Sequence, residues 1–252
     1  WMANAAVTST MARSARAFAS ANEAFCKALF FGGVTARFPK LNFAFLEGGV
    51  AWATSLYADL VGHWEKRILK ALDRLNPDAI DTKLFADLAR KYGDSRFNAK
   101  LESLGGDNSW LVRTKEDRAG LDKWAACNIS KVEDVCERFI PNFHFGCEAD
   151  DPSVAGAFDR KGNPFGSRLK AMFSSDIGHW DVHDITEVVE EAYELVEHER
   201  ITDQDFRDFT FTNIARLHTA NNPDFFKGTA VEGAVNQLLG MPQPAARLAQ
   251  AG

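Results

Sequence analysis

The chain has few of the features that mark secreted, membrane or disulfide-rich proteins. Its cysteines are Cys26, Cys127, Cys136 and Cys147. None of them forms a CxxC pair, and four in 252 residues are too few for a disulfide framework. No apolar run approaches the roughly 18 residues of a membrane span, and the first residues lack the basic start of a signal peptide. We therefore expect reduced thiols in a cytoplasmic protein that has no membrane partner.

Basic residues are also scarce. Lys and Arg number 29 against 35 Asp and Glu, which gives a formal net charge of −6. A protein whose main partner is nucleic acid would show a basic face, so we expect no nucleic-acid partner. With 46% hydrophobic and 12% aromatic residues, the chain has ample material for a core. Its length suits one or two domains of about 150 residues each.

Several catalytic motifs are absent as well. The sequence has no GxSxG, no GxGxxG and no GxxxxGK[ST], so serine hydrolysis and nucleotide binding have no support. What the chain does have is three short apolar runs, residues 41–46, 139–146 and 169–174, each followed by an acidic residue. Helix-like sequence comes after each run, at once or after a loop. This pattern is typical of the βα units of a parallel sheet.

Apolar periodicity predicts helices before and after these strands. The first 31 residues carry an apolar stripe at spacings of three and four, and Gly32-Gly33 supplies a stop. The stripe comprises Phe18, Ala21, Phe25, Ala28 and Leu29. A second stripe, after the third strand, comprises Ile185, Val188, Val189, Ala192, Leu195 and Val196. Thr202 and Asp205 predict a capping box at the start of a last helix.

The strand count bounds the fold class. Three strands are too few for the eight of a (β/α)8 barrel, so the chain is either a smaller α/β fold or the C-terminal portion of a TIM-type barrel. On the second hypothesis, residues 1–240 form a partial barrel domain and residues 241–252 a frayed tail. The charged, helix-permissive segment 73–122 is then a helical excursion between strands. A partial barrel would expose sheet edges and apolar helix faces, which predicts a homo-oligomer.

The acidic residues that follow the strands are the first candidates for chemistry. Glu47, Glu148 and Asp176 come after the three runs in turn, and parallel strands would bring them to the same end of the sheet. A carboxylate at that end can ligate a divalent metal or accept a proton from bound water. The alternative role is a helix N-cap, for which acidic residues are favoured on their own account.

The histidines give a weaker signal. His179 and His183 have the i, i+4 spacing of two ligands on one helical face, but Gly178 and the neighbouring acids indicate a loop, which argues against a zinc site built from this pair alone. His179 follows Asp176 closely and is a candidate for lining the same site. His144 alternates within a strand, and we expect a hydrogen-bonded core residue there.

Several segments resemble the amidohydrolase-related family, which includes aminocarboxymuconate-semialdehyde decarboxylase and related metal-dependent hydrolases. FGGVTARFPKL at 31–41 and FLEGGVAW at 45–52 resemble the middle of that family, and HWEKR at 63–67 fits the helix that follows. FSSDIGHWD at 173–181 resembles the final-strand motif, and NIARL at 213–217 resembles the closing helix. The resemblance runs from Phe31 to Leu217, and its most specific part is the Ser-Asp motif with the downstream helices.

The resemblance implies a distorted TIM barrel with a divalent metal, usually zinc, at its C-terminal mouth. On that pattern Asp176 is the aspartate after the last strand, which ligates the metal and accepts a proton from its water. The family's HxH pair and a further histidine ligand have no counterpart in the sequence. The resemblance places them upstream of Trp1, so we expect an N-terminally truncated chain that binds catalytic zinc poorly on its own.

Glu47 departs from the family pattern, because the decarboxylase branch carries a catalytic histidine at that position. A glutamate cannot act as a neutral imidazole donor, although it can orient water, bind metal or pair with a basic substrate group. We therefore expect a metal-dependent hydrolase in which Asp176 handles the proton while Glu47, Glu148 and His179 shape the substrate mouth. A decarboxylase of the same family and a non-catalytic protein derived from the barrel are the alternatives.

Overall fold

The computed structural model describes residues 17–72, 80–103, 124, 127–179, 182 and 184–241. The chain divides into two compact units, the first formed by Trp1–Asp59 with Glu133–Gly252 and the second by Leu60–Val132. The tail expected at 241–252 lies outside the described residues except for Met241, and so does His183 of the HxxxH pair.

The first unit contains the sheet. Strands β1 (Phe43–Phe45), β2 (Phe143–Cys147) and β3 (Lys170–Phe173) pair in the order β1-β2-β3, and both pairings are parallel. The α/β class and the three strands predicted from the sequence are thus confirmed. Three strands are what the described residues provide, so the barrel stays a prediction.

Helices connect and follow the strands. In chain order they are α1 (Ala17–Phe31), α2 (Val34–Arg37), α3 (Ala51–Arg67), α4 (Leu69–Leu72), α5 (Thr82–Tyr92), α6 (Ser95–Ser103), α7 (Glu133–Phe139), α8 (Val154–Phe158), α9 (Val188–Glu197), α10 (Asp203–Arg207), α11 (Asn213–Thr219) and α12 (Glu232–Leu239). A π-helical turn, Asp208–Thr212, joins α10 to α11, and a short 3-10 helix, Pro164–Gly166, precedes β3.

Aromatic side chains form the core on one face of the sheet. Phe45, Phe143 and Phe145 share that face because Phe45 is in register with Phe145. Trp52 of α3 packs edge-on against Phe45, with ring centroids 5.4 Å apart, and Phe139 of α7 packs against Phe143 at 5.1 Å. Each such pair contributes about 0.5–1.5 kcal/mol beyond its burial. This cluster fixes the position of the strands, and with it the position of the loops at their ends.

The run expected as the second strand begins earlier in the sequence than the strand does. Phe139 ends helix α7, and β2 starts only at Phe143. Pro141 and Asn142 separate the two elements, and the Asn142 side chain donates hydrogen bonds to the carbonyls of Pro39 and Leu41, at 3.0 and 2.6 Å. These hydrogen bonds from the buried Asn142 side chain to the segment before β1 therefore fix where β2 starts.

The predicted apolar face of α1 is wrong except at Leu29, which is buried. Phe18 and Phe25 are each 57% exposed, and the buried positions are Ala19, Cys26, Leu29 and Phe30. The helix carries apolar residues on more than one face, and the face with the small side chains of Ala19 and Cys26 allows the closer approach. The stop was predicted correctly: α1 ends before Gly32, and Gly33 has the positive φ of 68° that glycine adopts readily.

The helices after β3 match the sequence in part. Val188, Ala192 and Leu195 of α9 are buried as predicted, but Ile185 precedes the helix and Val189 is exposed. The capping box is confirmed. The Thr202 hydroxyl accepts a hydrogen bond from the Asp205 amide at 3.2 Å, and the Asp205 carboxylate accepts one from the Thr202 amide at 3.0 Å.

The second unit includes the segment expected as a helical excursion. Helices α5 and α6 form there, separated at Gly93 as the sequence indicates. Asp81 caps α5 by accepting a hydrogen bond from the Leu84 amide at 2.8 Å. In the sequence this segment lies between β1 and β2.

His144 differs from expectation. It is a core residue, only 1% exposed, but neither of its ring nitrogens has a well-formed hydrogen bond with any described group. It faces the same side of the sheet as Lys170, its partner in the register of β2 and β3. The pKa of His144 is lowered to about 3, mainly by burial and then by the charge of Lys170, while the backbone of Asn142 opposes the shift to a smaller extent.

Candidate functional site

The candidate site lies at the C-terminal ends of the outer strands. Glu47 follows β1 and Asp176 follows β3, and the two strands run in the same direction with β2 between them. The C-terminal end of a parallel sheet is where α/β proteins place their ligands. Glu47 and Asp176, which the sequence singled out, therefore lie at the end of the sheet where α/β proteins bind ligands.

Three of the four predicted site residues converge. Ligand atoms of Glu47, Asp176 and His179 all lie within 4.8 Å of one another. The His179 Nδ1 atom lies 3.3 Å from Asp176 Oδ2, with the two side chains 56% and 27% exposed. The cluster is thus open to solvent and to a bound molecule.

Glycine on β2 lets the two outer loops meet across the middle strand. A Cβ atom at Gly146 would lie 2.9 Å from Ser174 Oγ, closer than real Cβ contacts, and 3.0 Å from Leu46 Cδ2, which is tighter than most of them. Leu46 precedes Glu47, and Ser174 leads into the Asp176 loop. The missing side chain at Gly146 therefore allows Glu47 and Asp176 to approach each other over the end of β2.

Both acids adopt an unusual backbone conformation. Glu47 has φ of 55° and Asp176 has φ of 50°, in the left-handed region that residues other than glycine rarely enter. Holding a residue there costs about 1–3 kcal/mol. The Asp176 turn is closed by the His179 amide, which donates to the Asp176 carbonyl at 3.1 Å. This bond also places the His179 ring beside the Asp176 carboxylate.

The loop that carries Glu47 is fixed by close packing. Asn22 of α1 donates a hydrogen bond to the Leu46 carbonyl at 2.8 Å. A Cβ atom at Gly48 would lie 2.7 Å from the Asn22 side chain and 3.2 Å from Trp52 Nε1, so only glycine fits there. The position of Glu47 is therefore set by α1 and α3 as well as by β1.

Glu148 lies apart from this cluster but beside it. It is exposed and does not belong to the group of converging ligand atoms, yet it lines two cavities that also contain Ser174 and Asp176. The smaller cavity, about 330 Å³, is further lined by Phe18, Ala19, Glu47, Gly48, Gly49, Ala51, Trp52, Gly146, Asp151 and Ser153. The larger, about 980 Å³, runs along α9 and is bordered by the acids Asp150, Asp184, Glu187, Glu190, Glu191, Glu194 and Glu197 and by the apolar or aromatic residues Val188, Val189, Tyr193 and Phe206.

The helix N-cap role does not apply to the three acids. The helices that follow them begin at Ala51, Val154 and Val188, well beyond Glu47, Glu148 and Asp176 respectively. Ser153 and Glu187, not the candidate acids, occupy the N-cap positions of α8 and α9. None of the three acids therefore caps the helix that follows it.

The donor set fits a divalent metal. Catalytic zinc sites use three protein ligands, drawn from histidine and carboxylate among others, and leave one position open. Glu47, Asp176 and His179 supply two carboxylates and one imidazole, and their ligand atoms lie within 4.8 Å of one another. The nearby thiol is a different case, because burial raises the pKa of Cys147 and keeps it protonated.

Sequence reasoning missed part of the site. Ser174, Trp52 and Asp151 line the cavities but were not singled out. Trp52 lies within the FLEGGVAW segment and Ser174 stands in the Ser-Ser-Asp motif, so both carried a signal through their neighbours. Asp151 closes the acidic run after β2, and its carboxylate accepts a hydrogen bond from the Ser153 amide at 2.8 Å.

Comparisons of the chain with protein-family models, with curated proteins and with solved structures find no match. Among the helices that the structure describes, none has the length and apolar character needed to cross a membrane.

Proposed function

We propose that this chain belongs to a metal-dependent hydrolase of the amidohydrolase-related type, acting on a small molecule, and that its sheet is the C-terminal part of a TIM-type barrel. The observation that carries the proposal is the convergence of Glu47, Asp176 and His179 at the C-terminal end of a parallel sheet. The two cavities that meet at Asp176 give a substrate access to these groups.

Each residue has a role in the proposed reaction. A divalent cation, when bound, supplies an acidified water with a pKa near 7 and a polarised carbonyl. Asp176 accepts the proton of the attacking water at its carboxylate, and the His179 ring lies 3.3 Å from that carboxylate, at the same side of the substrate mouth. Glu47 stands where the decarboxylase branch carries a histidine, and a carboxyl side chain cannot take the role of a neutral imidazole donor, which supports hydrolysis over decarboxylation. Glu148 lies where both cavities meet and contacts the bound substrate there.

The test is a hydrolysis assay of the purified chain with added Zn²⁺ or Mn²⁺ against a panel of amides, esters and lactones. We expect turnover that Asp176→Asn lowers by about 10²–10⁴-fold, the usual contribution of a general base. Glu65→Gln removes the same charge from an exposed position of α3 that lines neither cavity and is the matched control, with activity close to that of the parent chain.

Three results would contradict the hydrolase. Carbon dioxide release from carboxylic acid substrates, without hydrolysis, would identify the decarboxylase alternative. No turnover of any substrate by a well-folded, metal-loaded chain would favour the non-catalytic alternative. Equal activity of the Asp176→Asn variant and the parent would remove the proposed base.

A further inference from the structure

We infer that Glu47, Asp176 and His179 together form a three-ligand zinc site contained within this chain, which needs no ligand from an HxH pair. The resemblance assigns only Asp176 to a metal and leads to weak zinc binding by the chain. The geometry assigns two further ligands, one on the loop after β1 and one on the turn after β3. This inference holds whether or not the chain is a hydrolase.

The first argument is the spacing of the donor atoms. Zinc lies about 2.0–2.2 Å from its ligands, so two ligand atoms of a tetrahedral site are about 3.4 Å apart. His179 Nδ1 and Asp176 Oδ2 are already 3.3 Å apart. The Glu47 oxygen lies within 4.8 Å of both, so a shift of roughly 1.4 Å or less completes the set. Glu47 is exposed, and rotation of its side chain suffices for that shift.

The second argument is charge. The backbone holds Glu47 and Asp176 together, and among the described residues no lysine or arginine forms an ion pair with either. Two carboxylates at this distance repel each other unless a cation lies between them. Another pair of neighbouring acids in the same unit, Asp205 and Asp208, is neutralised by a protein side chain. Arg168 forms ion pairs with both carboxylates, and its distance to Asp208 is 2.9 Å. Among the described residues, the neighbour of the Glu47–Asp176 pair that can carry a positive charge is His179, and it does so only when protonated. With His179 neutral, a cation from solution takes the place that Arg168 has in the other pair.

The third argument is the kind of cation. An imidazole nitrogen with two carboxylates favours zinc and its neighbours among the transition metals, whereas Mg²⁺ and Ca²⁺ prefer oxygen ligands alone. The two cavities open on Asp176, so the remaining coordination positions face space that water or a small molecule can enter.

The test is calorimetric titration of the chelator-treated chain with ZnCl₂, and with MgCl₂ for comparison, alongside the visible spectrum of the Co²⁺-loaded chain. We expect one Zn²⁺ per chain and weaker binding of Mg²⁺. Glu47→Gln, Asp176→Asn and His179→Ala should each weaken zinc binding by about 100-fold or more, beyond the 10–100-fold that residues behind the ligands contribute. Each variant should also change the Co²⁺ spectrum.

Two variants control for charge and for histidine content. Glu65→Gln and His198→Gln change exposed residues of the same types that lie outside the cluster and line neither cavity, and both should bind zinc like the parent chain. Far-ultraviolet circular dichroism in the presence of chelator checks that every variant is folded. A parent chain that takes up no zinc would overturn the inference. So would zinc binding that survives loss of Glu47 or His179, or that Glu65→Gln weakens equally. Zinc binding without hydrolysis would leave this site in place and refute only the proposed function.

Discussion

At the scale of single residues, His144 is the least satisfied group in the described core. Its ring is almost fully buried on the central strand, with both nitrogens lacking a well-formed hydrogen bond. A buried polar group without a partner costs about 1–3 kcal/mol, and an apolar replacement of similar size removes that cost. The sequence placed His144 in the core correctly, because its strand alternates. It could not show the missing partners, since these depend on which groups pack above the sheet.

His144→Leu should therefore stabilise the protein at pH 7 by about 1–2 kcal/mol. The measurement is urea unfolding followed by circular dichroism. His198→Gln alters an exposed histidine and should change the free energy of unfolding by less than about 0.5 kcal/mol. A loss of stability in His144→Leu would mean that the ring makes a favourable contact that leucine cannot replace.

The same residue predicts a dependence of stability on pH. The pKa of His144 is about 3 in the folded protein against an ordinary value of 6.5, so between these values the unfolded chain binds a proton that the folded chain does not. Stability contributed by neutral His144 is therefore complete above pH 6.5 and is lost as the pH falls toward 3, by about 1.4 kcal/mol per pH unit.

Urea unfolding of the parent and of His144→Leu at pH 6.5, 5.5 and 4.5 measures this slope. The parent should lose more stability than the variant over that range, with a difference equivalent to about one proton. Parallel slopes for the two proteins would assign the acid sensitivity to other groups.

At the scale of elements, features set by neighbouring residues were predicted correctly more often than features set by tertiary packing. The three strands and the capping box of α10 follow from short-range patterns. Each strand was recognised as an apolar run followed by an acidic residue, and the capping box as a threonine three residues before an aspartate. The buried face of α1 does not follow, because Phe18 and Phe25 compete in the sequence with the smaller Ala19 and Cys26. Which face is buried is decided by the space left beside the sheet, and a single helix sequence does not contain that information.

The capping box gives a prediction at this scale. Thr202→Ala removes the hydroxyl that accepts the Asp205 amide hydrogen bond, and should lower the free energy of unfolding by about 1 kcal/mol. Thr202→Ser keeps an acceptor at the same place and serves as the matched control. Urea unfolding of both variants would contradict the role of the cap if alanine and serine proved equally stable.

At the scale of the whole molecule, the candidate site depends on a long-range arrangement. The sequence singled out Glu47, Glu148, Asp176 and His179 one by one, from their places after strands and from a family resemblance. That Glu47 reaches Asp176 across β2, whereas the exposed Glu148 stays outside the cluster, follows from strand order and from the small residue at position 146. Neither the strand order nor the contact across β2 can be predicted from a local sequence pattern.

Gly146→Ala tests this arrangement. The added Cβ would lie too close to the side chains of Ser174 and Leu46, so these neighbours of the cluster must shift, and zinc affinity should fall by about tenfold or more if Glu47 and Asp176 share a cation and the shift reaches them. Gly156→Ala is the control, because a Cβ atom there finds only ordinary contacts with Thr54, the nearest at 3.7 Å. Calorimetric titration of both variants should separate them, and an unchanged affinity in Gly146→Ala would show that close approach across β2 is not needed.

The junction of the two cavities bears on how a synthetic ligand of this protein should be built. Because both spaces share Glu148, Ser174 and Asp176, two small fragments, one seated in each, would come close to touching at that point. Joining them by a short tether would turn the second association into an intramolecular one, at an effective concentration in the millimolar range. The linker should therefore run beside the three residues that line both cavities.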